Sequence, residues 1–369
     1  MDHLLEVLKI LDGAVNADRA KVASYAEQLA LKLETGGDAR SAERIRRTVR
    51  GGRTAELSTA RLNSSMPVDG ESRLALADEK SFSVDEVRVF LDEGTQARVS
   101  EFVRYVGASD RLLASGVGIA PSLLVHGPPG TGKTELAKLI SAQLGLPLLT
   151  ARTDALVSSY LGSTSKNLRQ LFEHAMARPC VLFLDEFDAV AKLRDDQHEL
   201  GELKRVVVSL LQNLDALDSK TVVLAATNHE HLLDAAIWRR FAFRFRLGLP
   251  GTEIRALMFG HFLVGHRPPG LGVDQLAAAA DGLSGADIRA LCEDARRAAI
   301  LSNADHVSET GLLLRVARAR VPELDAMPMR ERMMAMRALC RKLFTVRRLA
   351  ELFDVSTGKV SMLLREGET

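Results

Sequence analysis

The chain has 369 residues, 46% of them hydrophobic and 26% charged, with 49 Lys and Arg against 48 Asp and Glu. This balance is that of a globular protein with enough chain for two or three domains, and it excludes a low-hydropathy disordered polymer. A net charge of +1 excludes a whole-molecule field toward nucleic acid or membrane, so any such affinity must be local.

The three cysteines, Cys180, Cys292 and Cys340, are far apart and form no C-x-x-C spacing. They read as small buried hydrophobes rather than zinc ligands or a disulfide framework. Met1-Asp2-His3 opens no basic segment followed by an apolar run, and no apolar stretch reaches the length of a bilayer span. The expectation is a cytoplasmic protein with no membrane partner.

In chain order, residues 1–50 read as a helical module. Leu4, Leu5, Leu8 and Leu11 repeat at helical spacing, a second pattern runs through Ala23, Ala26, Ala30 and Leu33, and a third covers Ala39 to Val49. Arg44, Arg46, Arg47, Arg50 and Arg53 read as a solvated face. Residues 51–80, rich in Gly, Ser and Thr with a turn at Met66-Pro67-Val68-Asp69-Gly70, read as a linker.

The period then changes. Short apolar runs at Ser122–Val125, Leu146–Thr150, Cys180–Leu184, Thr221–Ala225 and Phe243–Leu249 alternate with helical patterns such as Thr164–Met176 and Leu200–Leu217. This predicts an α/β domain over residues 81–250, a parallel five-stranded sheet with helices on both faces. Thr252–Leu263, Val273–Ala280, Gly285–Leu301 and Ser308–Arg320 predict a helical lid over 251–321. Residues 322–369 form a C-terminal helical region: a basic helix from Met329 to Lys342, then a possible helix-turn-helix at Thr345–Ser361, either a DNA-binding element or a helical pair that packs on the lid or docks a partner.

One stretch carries the chemistry. Gly127-Pro128-Pro129-Gly130-Thr131-Gly132-Lys133-Thr134 fits G-x-x-x-x-G-K-[ST] between a strand and a helix. Glycines permit the sharp turn, and the exposed N–H groups with the positive helix end hold phosphate oxygens. Lys133 is predicted to reach the β- and γ-phosphates of ATP, and Thr134 to ligate Mg²⁺. The run Val181-Leu182-Phe183-Leu184 then releases Asp185 and Glu186 where ligands meet parallel sheets, at the carboxyl ends of the strands. Asp185 is assigned to the metal and Glu186 to the base that orients or deprotonates the attacking water.

The order G-P-P-G-T-G-K-T, F-L-D-E-F-D, A-A-T-N, L-D-x-A-x-x-R-R-F and L-S-G-A-D-I resembles the AAA family of ring ATPases over about Asp85 to Arg320. The likeness is to the katanin, spastin and vacuolar-sorting branch and to the membrane-protease ATPases. It implies a homohexamer with nucleotide between subunits. By position, Asn228 would be the sensor of the γ-phosphate or attacking water. Arg239 and Arg240 would be arginine fingers reaching the neighbouring subunit's site, with a structural salt bridge the competing role for one of them. Gly285 and Ala286 would lie against the nucleotide. Phe241-Ala242 departs from relatives that carry an Asp after this aromatic position, which leaves the finger placement open. Tyr160, Leu161 and Gly162 resemble the pore loop of substrate-threading members, where Tyr grips extended polypeptide; a Tyr packed under its own helix is the alternative.

The reading that follows is an ATP-hydrolysing ring motor that remodels, unfolds or disassembles protein substrates, with any protease a separately encoded partner. Its rivals are a DNA-associated ATPase using the C-terminal helix-turn-helix and a nucleotide-controlled assembly switch.

Overall fold

The computed structural model describes residues 26, 29–30, 32–34, 41–43, 45–46, 66–69, 72–156, 161–188, 200–217 and 221–365. The chain divides into two units, Met1–Met66 and Pro67–Thr369.

In the first unit the described residues between 26 and 46 are helical. Ala26, Ala30 and Ala42 are buried, and Arg46 pairs with Glu34 at 2.9 Å. The leucine pattern at Leu4–Leu11 and the arginines Arg44, Arg47, Arg50 and Arg53 lie outside the described residues.

The second unit is built on six strands: β1 (Ala77–Lys80), β2 (Ser122–His126), β3 (Leu148–Ala151), β4 (Val181–Leu184), β5 (Val222–Thr227) and β6 (Phe243–Arg246). Their order is β1-β3-β4-β5-β2-β6, so β2, which feeds the phosphate loop, lies between β5 and β6. The five strands of the expected sheet pair in parallel, and β1 adds an antiparallel edge on β3.

That edge strand corrects the linker at residues 51–80, because its last part from Pro67 belongs to the second unit. Ala-Asp-Glu-Lys carries no apolar run, as suits an edge that must resist further pairing. Backbone pairing recruits it, helped by the buried Leu76 and Ala77. The turn before it is closed by Asp69, whose carboxylate accepts from Ser72 N at 2.8 Å and from Asn167 Nδ2 at 2.8 Å.

Period-two alternation buries both sheet faces. Leu123, Val125, Phe183, Leu224 and Phe245 share one core with Phe102 of α1 (Glu93–Gly107) and Leu136 and Ile140 of α3 (Lys133–Leu144). The short α2 (Ser109–Ala114) leads from α1 into β2. Leu124, Leu182 and Val223 are buried as well. Past β3, α4 (Thr153–Leu156) leads into α5 (Leu161–Met176), which packs on β4 and on α6 (Leu200–Asp215). Cys180 and Cys292 are buried, and burial pushes their thiols up to about 11 and about 12, so they behave as hydrophobes.

After β5 comes α7 (Ala235–Arg240), then β6 and the lid helices α8 (Thr252–Phe262), α9 (Val273–Ala279), α10 (Gly285–Leu301) and α11 (Glu309–Arg320). Arg255, buried in α8, ties the lid together: Nε donates to Ala277 O at 2.8 Å and Nη1 pairs with Asp281 at 2.9 Å.

The C-terminal region, for which packing on the lid is one of the expectations, continues the lid. It forms α12 (Met329–Leu339), α13 (Val346–Phe353) and α14 (Thr357–Arg365). Met333, Met336, Leu343, Phe344, Leu349 and Val360 are buried in the same apolar cluster as Phe259, Ile288 and Leu312. The basic helix expected to Lys342 stops at Leu339, because Cys340 is extended and the chain turns to bury Leu343 and Phe344. No helix among the described residues is long and apolar enough to cross a membrane.

Candidate active site

The phosphate loop leaves β2 at Gly127 and enters α3 at Lys133. Gly127 has φ 142, and a Cβ there would lie 2.0 Å from Leu247 O. Gly130 has φ 74, and a Cβ would meet Ser284 Oγ at 2.5 Å. Glycine is thus required twice, by backbone conformation and by close approach. Gly132, at φ 96, is the N-cap of α3 and supplies no side-chain cap, so the first N–H groups of the helix stay available to an anion. Thr131 Oγ1 donates to Pro128 O at 2.9 Å and holds the loop's shape.

Lys133 is buried, with Nζ donating to Gly127 O and Pro128 O, both at 2.8 Å. Burial lowers the pKa of its ammonium, and the charges of Asp185 and Asp188 oppose that shift. Thr134 Oγ1 donates to Asp185 Oδ2 at 2.8 Å, so the two residues assigned to the metal are already side by side. Asp185 Oδ1 accepts from the backbone N–H of Glu186 at 2.9 Å. Glu186 is exposed and sits at φ 48, a left-handed conformation uncommon outside glycine.

Because β2, β4 and β5 run parallel and adjacent in the order β4-β5-β2, their carboxyl ends bring the loop, the two acids and Asn228 to one edge. Asn228 directly follows β5. Beneath it is a pair of contacts that motif reading did not assign: Thr227 Oγ1 donates to Asp188 Oδ1 at 2.8 Å and accepts from His229 N at 3.0 Å. The signal was the second Asp of F-L-D-E-F-D facing the Thr of A-A-T-N. His126, the residue before the loop, bonds to Glu230 and packs its ring edge-on to Trp238 at 5.1 Å.

The two arginines of α7 part company. Arg240 is engaged by Asp215, with Nε to Oδ1 at 2.6 Å. Arg239 is exposed and makes no ion pair with another described residue. Phe241 is buried and meets Phe187 edge-on at 5.8 Å, which explains an aromatic there. Ser122 Oγ accepts from Ala242 N at 3.0 Å and fastens the end of α7 to β2.

The lid meets the loop directly. Ser284 and Asp287 form a capping box at the start of α10, and Ala286 N donates to Gly130 O at 3.0 Å. Beside this contact lies a cavity of about 130 Å³ that motif reading missed, lined by Phe90, Leu91, Thr131, Leu247, Met258 and Gly285 among others. Tyr160 and the charged run after Asp188 lie outside the described residues; Leu161 and Gly162 open α5.

The residues present fit a nucleoside triphosphate with Mg²⁺: a glycine-lined turn, a helix end without a side-chain cap, a buried lysine and a hydroxyl–carboxylate pair. Gly130→Ala is expected to weaken nucleotide binding at least about tenfold and to lower stability by about 1–3 kcal/mol, through strain at positive φ and collision with the lid. Titration with a fluorescent ATP analogue and a thermal melt check this; unchanged affinity contradicts it.

Residues 123–249 match the family model described as ATPase family associated with various cellular activities (AAA), and residues 273–313 match the AAA+ lid domain. The chain is 42% identical over 230 residues to the "Uncharacterized AAA family ATPase y4kL" of Sinorhizobium fredii, covering 62% of this chain and 66% of that protein. It is 33% identical over 220 residues to the "ATP-dependent zinc metalloprotease FtsH 3" of Sphaerobacter thermophilus, covering 58% and 45%. It is 37% identical over 212 residues to the "Peroxisomal ATPase PEX6" of Eremothecium gossypii, covering 54% and 20%. The match spans less than two thirds of the length of each of these relatives. With the loop, the acids and the lid joined in one site, the chain carries an AAA ATPase domain at residues 123–249 and an AAA+ lid domain at residues 273–313.

Proposed function

We propose that this chain hydrolyses ATP to ADP and phosphate in a homo-oligomeric ring, of six subunits by likeness to the family, and uses the cycle to remodel protein substrates. The observation that carries the chemistry is the Thr134–Asp185 contact beside Lys133. Held by Thr134 and Asp185, Mg²⁺ would supply positive charge that offsets the charge developing on the phosphates.

Each of the chain's own groups has a task. Thr134 and Asp185 hold the metal. Lys133 exchanges two neutral carbonyl acceptors for anionic phosphate oxygens, a gain because charge-assisted bonds are the stronger kind. Glu186 orients and deprotonates the attacking water, and Asn228, positioned over the Thr227–Asp188 contact, orients the same water or the γ-phosphate. The base of the nucleotide lies in the cavity between Phe90, Leu247 and Met258. The Ala286–Gly130 contact makes the lid answer to whatever the loop holds.

Arg239 is the arginine finger, acting on the site of the adjoining subunit, and Arg240 is its structural neighbour. Support comes from their different engagement, since Arg240 already has an anionic partner within the chain. The relatives named as a metalloprotease and a peroxisomal ATPase favour protein as the substrate class.

Tyr160, Leu161 and Gly162 are assigned to a pore loop. Tyr160→Ala is expected to abolish unfolding of a fluorescent model protein with an unstructured tail while basal hydrolysis stays within about twofold, because Tyr contributes a grip and no part of the phosphate site. Unimpaired unfolding by the variant would sink the threading reading.

A further inference from the structure

The C-terminal helices carry a feature that the ATPase reading does not use. From Met329 to Arg365 the chain has nine Lys and Arg against three Asp and Glu, a net charge of +6 in a protein whose total is +1. Part of that charge is structural. Arg348 pairs with Glu309 at 2.6 Å and donates to Gln275, Arg332 donates to the carbonyls of Met327 and Asp325, and Arg330 donates to Leu363 O. Arg347 is held by Glu351. Arg337, Arg341, Lys342, Lys359 and Arg365 make no ion pair or side-chain hydrogen bond with another described residue.

The local fold is a helix-turn-helix. Thr345 caps α13, whose Leu349 and Ala350 face the core. Asp354 turns the chain at φ 51 and ψ 49, and Val355 N donates to Ala350 O at 3.0 Å. Ser356 Oγ accepts from Lys359 N, and α14 follows with Val360 fully buried. The inner face is thereby committed to the lid. Thr357, Gly358, Lys359, Met362 and Arg365 remain exposed on the outer face of α14.

Gly358 is the telling residue. Its φ is not positive, and a Cβ there would meet only Ser356 Oγ, at 3.9 Å. Nothing in the fold requires glycine, which in a helix interior costs about 0.5–1 kcal/mol relative to alanine and is better tolerated here, near the start. Glycine on this exposed face leaves room for another molecule's backbone to come close.

We propose that α13 and α14 bind double-stranded nucleic acid, with the first turns of α14 (Thr357, Gly358, Lys359 and Met362) in the major groove and Arg341 and Lys342 before α13 on the phosphates. The charge favours this partner: cations with no anionic partner among the described residues suit phosphates, and the face offers no aromatic anchor of the kind that dominates protein interfaces. The proposal stands apart from the ATPase reading and does not need it.

The test is fluorescence anisotropy of a labelled duplex of about 30 base pairs with the full-length chain, between roughly 50 and 200 mM salt. Binding with a steep salt dependence is expected. Arg341→Ala with Lys342→Ala should weaken it at least about tenfold and lower the log–log salt slope by about 2, near 0.9 for each phosphate no longer neutralised. Gly358→Ala should raise the melting temperature and weaken duplex binding, opposite signs that a purely structural role does not produce. Absence of duplex binding at the lowest salt overturns the proposal. So do equal affinities for the variants and the unsubstituted chain, or tighter binding of a poly-glutamate peptide than of the duplex.

Discussion

Glu186→Gln is expected to keep ATP bound while turnover falls about 10²–10⁴-fold, the usual contribution of a positioned general base. The amide is nearly the same size as the carboxylate and cannot take a proton. Glu186 is exposed at φ 48 and its side chain makes no hydrogen bond or ion pair with another described residue, while its backbone N–H is held by Asp185, so the substitution leaves the Thr134–Asp185 contact in place. Lys133→Ala removes the charge on which phosphate binding rests, and reduces affinity as well as turnover. Phosphate release and a nucleotide-binding titration separate the two. Turnover by Glu186→Gln near the unsubstituted rate would remove the base assignment.

Arg239→Ala is expected to lower turnover by about 10³-fold or more, the scale of an arginine finger supplied from outside a site. Nucleotide affinity should change far less, because a finger acts mainly on charge that develops in the transition state. Arg240→Ala gives the contrast. It breaks a half-exposed pair with Asp215, and such pairs contribute about 0–1 kcal/mol to stability, so its turnover should stay within a few fold. Comparable losses from both substitutions would contradict the division of labour between these neighbours.

Much of this arrangement is legible in the sequence because it rests on local patterns. The five apolar runs became β2 to β6, and the lid helix expected at Gly285–Leu301 ends where its capping box and the polar residues after Leu301 place it. What escaped depends on tertiary packing. Ala77–Lys80 has no strand pattern of its own and is a strand because the edge of β3 is there to pair with. The cavity beside the loop joins Phe90, Leu247 and Met258, which are dispersed along the chain and share no motif. Two adjacent arginines look alike until Asp215, on a separate helix, engages one of them. The tail admits two readings from sequence, a DNA-binding helix-turn-helix or a pair packed on the lid, and the burial of Phe344 and Val360 in the core of the lid shows the packing.

The central claim is that each site is finished by a residue from another copy of the chain. The direct measurement mixes Glu186→Gln and Arg239→Ala proteins, each nearly inactive alone, under conditions that let subunits exchange, and follows phosphate release. In a ring, a subunit with intact Glu186 beside one with intact Arg239 forms a competent site, so an equal mixture should recover about a quarter of the unsubstituted rate. A mixture no more active than the average of its two components would contradict the account.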